Sequence, residues 1–170
     1  FNNDFKSDTL AEDRILLEKI LSPLDLRRDL LIEHLHKIQD YFGFLSEKNL
    51  ALLAKILKLS KVEVYEVASF YAHFDIVKEG DIPPPKTTIR VCNSLSCQIN
   101  GSTTLKNKII KIFQDQDIRV LDAPCMGRCA FAPALEIGHF HVENANLEKV
   151  IEAIEKKWKS PIIPNYQSFY

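Results

Sequence analysis

Four cysteines, at positions 92, 97, 125 and 129, fall in two close pairs, and the rest of this 170-residue chain holds none. The pattern is Cys-x4-Cys, a gap of 27 residues, then Cys-x3-Cys. Two chelating loops of this kind offer the four thiolates a 2Fe-2S cluster needs: each iron takes two, and two bridging sulfides complete both tetrahedra. Gly127 lies inside the second loop, where its freedom of φ lets backbone N–H groups turn toward sulfur. Four thiolates also satisfy tetrahedral zinc, although structural zinc loops and redox dithiol motifs more often hold two intervening residues. Two disulfides are the third possibility. They suit short, loop-rich secreted proteins better than a chain with long amphipathic helices, so a reducing compartment is expected.

The remaining composition narrows the partners. Net charge is −1 with both signs interspersed, so no broad positive field attracts nucleic acid or an anionic membrane. A charged residue interrupts every stretch of Leu and Ile, which predicts no direct membrane insertion. The five glycines, at 43, 80, 101, 127 and 138, form neither a Gly-x-Gly-x-x-Gly turn nor a phosphate loop, so no nucleotide site is expected on this chain. A chain with a one-electron centre and no substrate site must exchange electrons with a partner.

The elements that must position the cysteines divide the chain in two. Apolar residues at helical spacing predict four helices, at roughly 10–21, 23–42, 46–58 and 61–74. Leu31, Leu35, Ile38 and Phe42 share one face, with Gly43 as the stop. Ser22, Pro23 and Asp25 read as N-cap, first-turn proline and capping acid, and Ser60 with Glu63 repeats the logic. Val64, Val67, Tyr71 and Phe74 are assigned to the core face of the last helix. Tyr41, Phe42, Phe70, Tyr71 and Phe74 read as core aromatics, and His34, His36 and His73 as surface or capping residues on helices. Gly80 and three consecutive prolines then predict a stiff connector over 79–87. Beyond it come a strand at Thr88–Val91 ending on Cys92, and a helix marked by Leu105, Ile109, Ile112 and Phe113. A second strand at Ile118–Leu121, a hairpin through Gly138 and a closing helix from Leu147 to Trp158 complete the order. His139 and His141 read as solvated strand positions. The fold class expected is α+β: a helical bundle over 1–78, then a thioredoxin-like α/β domain over 88–159. Residues 160–170, with Pro161 and Pro164, read as a tail or linker to a following domain.

Four blocks in order carry a family resemblance: Ile38-Gln39-Asp40-Tyr41-Phe42-Gly43-Phe44-Leu45; Val62-Glu63-Val64-Tyr65-Glu66-Val67-Ala68-Ser69-Phe70-Tyr71; Val91-Cys92 through Cys97 with Gly101; and Cys125-Met126-Gly127-Arg128-Cys129-Ala130-Phe131-Ala132-Pro133. With these, the whole chain resembles the small 2Fe-2S subunit of the NADH-oxidising module of respiratory complex I. Related subunits or fused domains occur in NAD-linked formate dehydrogenases and NAD-reducing hydrogenases, and the Cys-Met-Gly-Arg-Cys form is closer to the formate-dehydrogenase or fused versions. The resemblance implies one 2Fe-2S cluster on Cys92, Cys97, Cys125 and Cys129. It also implies a partner flavoprotein subunit or fused domain that binds NADH and FMN, and further iron-sulfur subunits. It places the chain in the cytoplasm, or in the mitochondrial matrix of a eukaryote. The helical half is then expected to serve docking. Against this stand a zinc-stabilised interaction module and a thiol redox sensor, which metal content would separate. Arg128 departs from the small residue usual in the family, and Phe131 from a frequent Asn. A cation at position 128 is expected to raise the cluster's potential. Because the chain begins at Phe1 and ends in Ser-Phe-Tyr, it is expected to be cut from a longer polypeptide.

Overall fold

The computed structural model describes residues 4–22, 24–158 and 160. The expected first-turn proline at 23 and the tail beyond Ser160 lie outside the described residues. The chain divides into two compact units, 1–84 and 85–170.

The first unit contains α1 (Asp4–Leu21), α2 (Leu31–Phe42), α3 (Glu47–Leu57) and α4 (Lys61–Phe70). Its core is built from Leu17, Leu21, Leu35, Ile38, Leu45, Leu53 and Val64, among others. The spacing of four and three along α2 sends Leu31, Leu35 and Ile38 inward, and Gly43 at φ 82° ends the helix as a left-handed cap. Ser46 and Ser60 cap α3 and α4, their hydroxyls accepting from the Asn49 and Glu63 N–H groups at 3.1 Å.

Three expected helix boundaries are corrected, the first being α1, which begins at Asp4 rather than near 10. The helix expected from 23 begins at Leu31, after a 3-10 turn at Arg28–Leu30, so Asp25 does not act as a capping acid. The Asp25 carbonyl instead accepts from His34 Nε2 at 3.0 Å, and Arg27 pairs with Asp29 to hold the open segment. The helix expected to run to 74 ends at Phe70, and Tyr71 is extended. The cause is Gln39, whose Nε2 donates to the His73 carbonyl and whose Oε1 accepts from the Asp75 N–H, each at 2.7 Å. These bonds hold the chain extended into β2 (Ile76–Val77), which pairs in parallel with β1 (Leu45–Ser46). His73 and Phe74 therefore lie past the helix. Tyr41, Phe70 and Tyr71, expected in the core, are exposed, Tyr41 at the rim of a cleft with Leu16 and Ile20 of α1 and the other two where α4 has ended.

His34 is also corrected, because it is fully buried rather than at the surface. Its Nε2 must donate, since a carbonyl only accepts, so in the neutral ring Nδ1 carries no proton, and it has no hydrogen-bond partner among the described residues. Burial lowers the His34 pKa from its usual 6.5, against the opposing pull of the Asp25 carbonyl. The unfolded chain thus binds a proton at this site at higher pH than the folded chain does. The contribution is fully present above the unfolded value and is lost as pH falls below about 6.5. In urea unfolding at a series of pH values, His34→Gln should show less loss of stability from pH 7 to pH 5 than the parent. An unchanged pH slope would exclude His34 as its source.

The second unit contains a four-stranded sheet in the order β4-β3-β5-β6, with β3 (Thr87–Cys92) and β4 (Ile118–Ala123) parallel. β5 (Leu135–Ile137) runs antiparallel to β3 and forms a hairpin with β6 (Phe140–Val142). Gly138, at φ 62°, and His139 make the two-residue turn that such hairpins favour. His139 is thus a turn residue, and both it and His141 are half-buried rather than fully solvated. Strand alternation sends Ile89 and Val91 into a core with Leu105, Ile109 and Phe113 of α6 (Ser102–Phe113) and Val150 and Ala153 of α7 (Leu147–Glu155). Ile112, expected on the core face, is exposed at the edge of that row. Trp158, expected inside the last helix, lies beyond it and packs on Phe140 with ring centroids 5.0 Å apart. The fold is α+β.

Candidate metal centre

The two ligand loops meet because of strand register. Cys92, the last residue of β3, is level with Ala123, the last residue of β4, and the strands run in parallel, so both loops leave the sheet at one end. The Asn93 N–H donates to the Ala123 carbonyl at 2.9 Å, and the Cys92 N–H to the Ala134 carbonyl at 3.1 Å. The first loop turns into the short helix α5 (Leu95–Ile99), which carries Cys97 back toward Cys92. Five residues with no apolar period of their own left no sequence signal for this helix.

The four predicted site residues come together. Cys92 and Cys97 are each 2% exposed and share a small core with Ala134, against which Met126 and Ala132 pack. Cys125 and Cys129 are exposed, with sulfurs 3.4 Å apart. The Cys92 and Cys97 thiols are hydrogen-bonded to one another, and Cys129 bonds to the Ser96 side chain and acts electrostatically on Cys97. No disulfide links the four in this structure.

Main-chain donors surround the sulfurs. The Ala134 N–H donates to Cys97 Sγ and the Gly127 N–H to Cys125 Sγ, both at 3.4 Å. Gly127 adopts φ 74°, the left-handed curl its place in the loop requires. Burial pushes the Cys92 thiol up, but donors from Ser94, Cys97 and Met126 outweigh it and leave the pKa below the usual value. Burial raises Cys97 above it despite the Ala134 N–H, and the neighbouring Cys125 raises Cys129. Like charges close together cost energy until a cation neutralises them. Four sulfur donors and their N–H partners therefore fit a polynuclear iron-sulfur group or a single thiolate-bound cation. The backbone donors at Ser94, Met126 and Ala134 carried no side-chain signal in the sequence.

A cavity of about 210 Å³ lies beside Cys92, bordered by Ser102, Lys106 and Asp122. It is smaller than the roughly 300–1,000 Å³ of ordinary ligand sites, and the Lys106–Asp122 ion pair at 2.5 Å stands across it. Arg128, the cation expected beside the cysteines, pairs with Glu143 at 3.3 Å.

Two thiol pairs at one end of a parallel strand pair, held by backbone donors and backed by helices, form a site suited to thiolate ligation at the end of the sheet. The chain belongs to the thioredoxin-like [2Fe-2S] ferredoxin family, whose model matches residues 17–157. It is 30% identical over 165 residues to an NADH-quinone oxidoreductase subunit of Rickettsia bellii (strain RML369-C), covering 92% of this chain and 93% of that one. It is 30% identical over 120 residues to NADP-reducing hydrogenase subunit HndA of Solidesulfovibrio fructosivorans, covering 64% and 65%. Its fold resembles that in the crystal structure of an NAD+-reducing [NiFe]-hydrogenase in the air-oxidized state, with TM-score 0.59 at 23% identity over 76% of this chain. The match spans 23% of that hydrogenase chain. Among the described residues no helix is long and apolar enough to cross a membrane.

Proposed function

We propose that Cys92, Cys97, Cys125 and Cys129 hold one 2Fe-2S cluster, and that this chain is the electron-transfer subunit of an NAD-linked oxidoreductase. It exchanges single electrons with the FMN of a partner NADH-binding flavoprotein. The observation that carries this reading is the convergence of four thiols, two buried and two exposed, at one end of the sheet. A 2Fe-2S group supplies a one-electron carrier there. The chain's own residues shape its surroundings: the N–H groups of Ser94, Met126, Gly127 and Ala134 offset thiolate charge, and the apolar wall of Ala132, Ala134 and Met126 keeps water from the buried pair.

The exposed side is suited to a protein partner. Leu95 and Ile99, which flank Cys97 on α5, are 73% and 75% exposed, and Phe131 follows Cys129. Large apolar side chains beside exposed ligands favour a contact that excludes water. The relatives support NADH dehydrogenase or NAD(P)-reducing hydrogenase assemblies, with further iron-sulfur subunits as neighbours. The Cys-Met-Gly-Arg-Cys loop supports the formate-dehydrogenase kind of assembly. Cysteines confined to one cluster, in a chain with long amphipathic helices, support a reducing compartment, the cytoplasm or the matrix in a eukaryote.

The test is iron, sulfide and zinc content of protein purified without oxygen, with EPR after dithionite reduction. Two irons and two sulfides per chain with a rhombic signal are expected. One zinc and no signal would overturn the cluster. Failure of the loaded chain to accept electrons from an FMN protein supplied with NADH would overturn the partner.

A further inference from the structure

Arg128 stands inside the second ligand loop, next to Cys129, with its guanidinium 3.3 Å from Glu143 Oε1. Glu143 begins the turn between β6 and α7, and this turn is fastened to the ligand loop by more than the ion pair. The Asn144 N–H donates to the Phe131 carbonyl and the Ala145 N–H to the Pro133 carbonyl, each at 2.7 Å. Asn144 takes φ 44° to make these bonds. Lys149 closes the turn from the other side, its Nζ donating to the Glu143 and Asn144 carbonyls at 2.9 and 3.1 Å. The Glu143 carboxylate is therefore anchored by its backbone beside a cation whose residue directly precedes Cys129 in the second loop.

Resting on the reading that these thiols hold a 2Fe-2S cluster, we propose that Glu143 sets the midpoint potential by partly cancelling the Arg128 charge at the cluster's exposed edge. Reduction adds one electron from an external donor, with no bond broken and no proton required. The reduced cluster is one charge more negative, so an unopposed cation beside it favours the reduced form and an unopposed carboxylate disfavours it. With both present the pair acts as a dipole and its net effect is small. Arg128 and Glu143 are 45% and 34% exposed, so water and salt screen the pair and the shifts are modest and dependent on ionic strength.

The experiment is an EPR-monitored redox titration of the full, cluster-loaded chain at low and high salt. Glu143→Gln, which exposes the cation, should raise the potential: at a fixed ambient potential the reduced-to-oxidised ratio should increase about three- to tenfold at low salt. Arg128→Ala should move it the other way by a similar factor. The double variant should return close to the parent, and high salt should compress all the differences. Unchanged potentials in both single variants would overturn the proposal. If Glu143→Gln loses iron and Glu143→Asp restores it with the potential unmoved, Glu143 is a structural anchor only and the proposal fails. A parent chain that holds zinc would overturn the cluster reading itself, and this inference with it.

Discussion

Cys97→Ala is expected to lose the cluster and also to destabilise the apo-protein, whereas Cys125→Ala is expected to lose the cluster alone. Both remove one of four thiolates, so neither should retain two irons per chain. Their surroundings separate them. Cys97 is buried with Cys92 and Ala134, and its sulfur accepts the Ala134 N–H at 3.4 Å. Truncating it leaves a buried donor without a partner, which costs about 1–3 kcal/mol, and opens a small void besides. Cys125 is exposed, and its loss from the apo-protein should change stability by no more than roughly 0.5 kcal/mol. Iron analysis and urea unfolding of metal-free protein check the two effects separately. Two irons on either variant would remove that cysteine from the ligand set. Equal apo-stabilities would refute the distinction between a buried and an exposed pair.

Gln39→Leu is expected to destabilise the helical unit by about 2–4 kcal/mol, because two backbone groups each lose a bond near the core at roughly 1–3 kcal/mol apiece. Gln39 is buried, and its amide ties α2 to both His73 and Asp75. Leucine is close in size but can neither donate nor accept. The loss should appear as a lower urea midpoint followed by far-UV circular dichroism. An unchanged midpoint would show that the 73–75 segment is held by its apolar neighbours, Phe74 chief among them, rather than by the amide.

That same glutamine explains where the sequence was hard to read. Helical spacing through Val67, Tyr71 and Phe74 is real, yet α4 stops at Phe70, because a side chain 36 residues away holds the chain extended. Nothing local to 71–74 carries that information. Likewise, the capping residues before α2 were sound in composition, but His34 holds the Asp25 carbonyl and the helix begins at Leu31. What was legible depended on period and on turn chemistry. Ile89 and Val91 alternate with polar neighbours, Gly138 marks the hairpin, and Ser60 marks the start of α4, and each does so within its own few residues. The pairing of cysteines was legible from spacing, and their approach from each pair following a strand. The short helix α5, the Glu143 partner of Arg128 and the N–H donors to sulfur were not, since backbone donors have no letter in a sequence and the others depend on tertiary approach.

The parallel register of β3 and β4 also says where this chain can change length. Ala123 must stay level with Cys92 for the two loops to leave the sheet together, and side chains alternate along β4. A single residue inserted between Ile118 and Ala123 would break the register on one side of it, either turning Val120 away from the core or shifting the second loop off the first. The turn from Gln114 to Asp117, between α6 and β4, lies at the opposite end of the strands and touches neither loop. The 27-residue interval between the two cysteine pairs is therefore free to drift in length at that turn and closed to drift along the strand. Spacing within each pair should vary little between relatives, while the interval between pairs should vary by insertions confined to one end of the sheet.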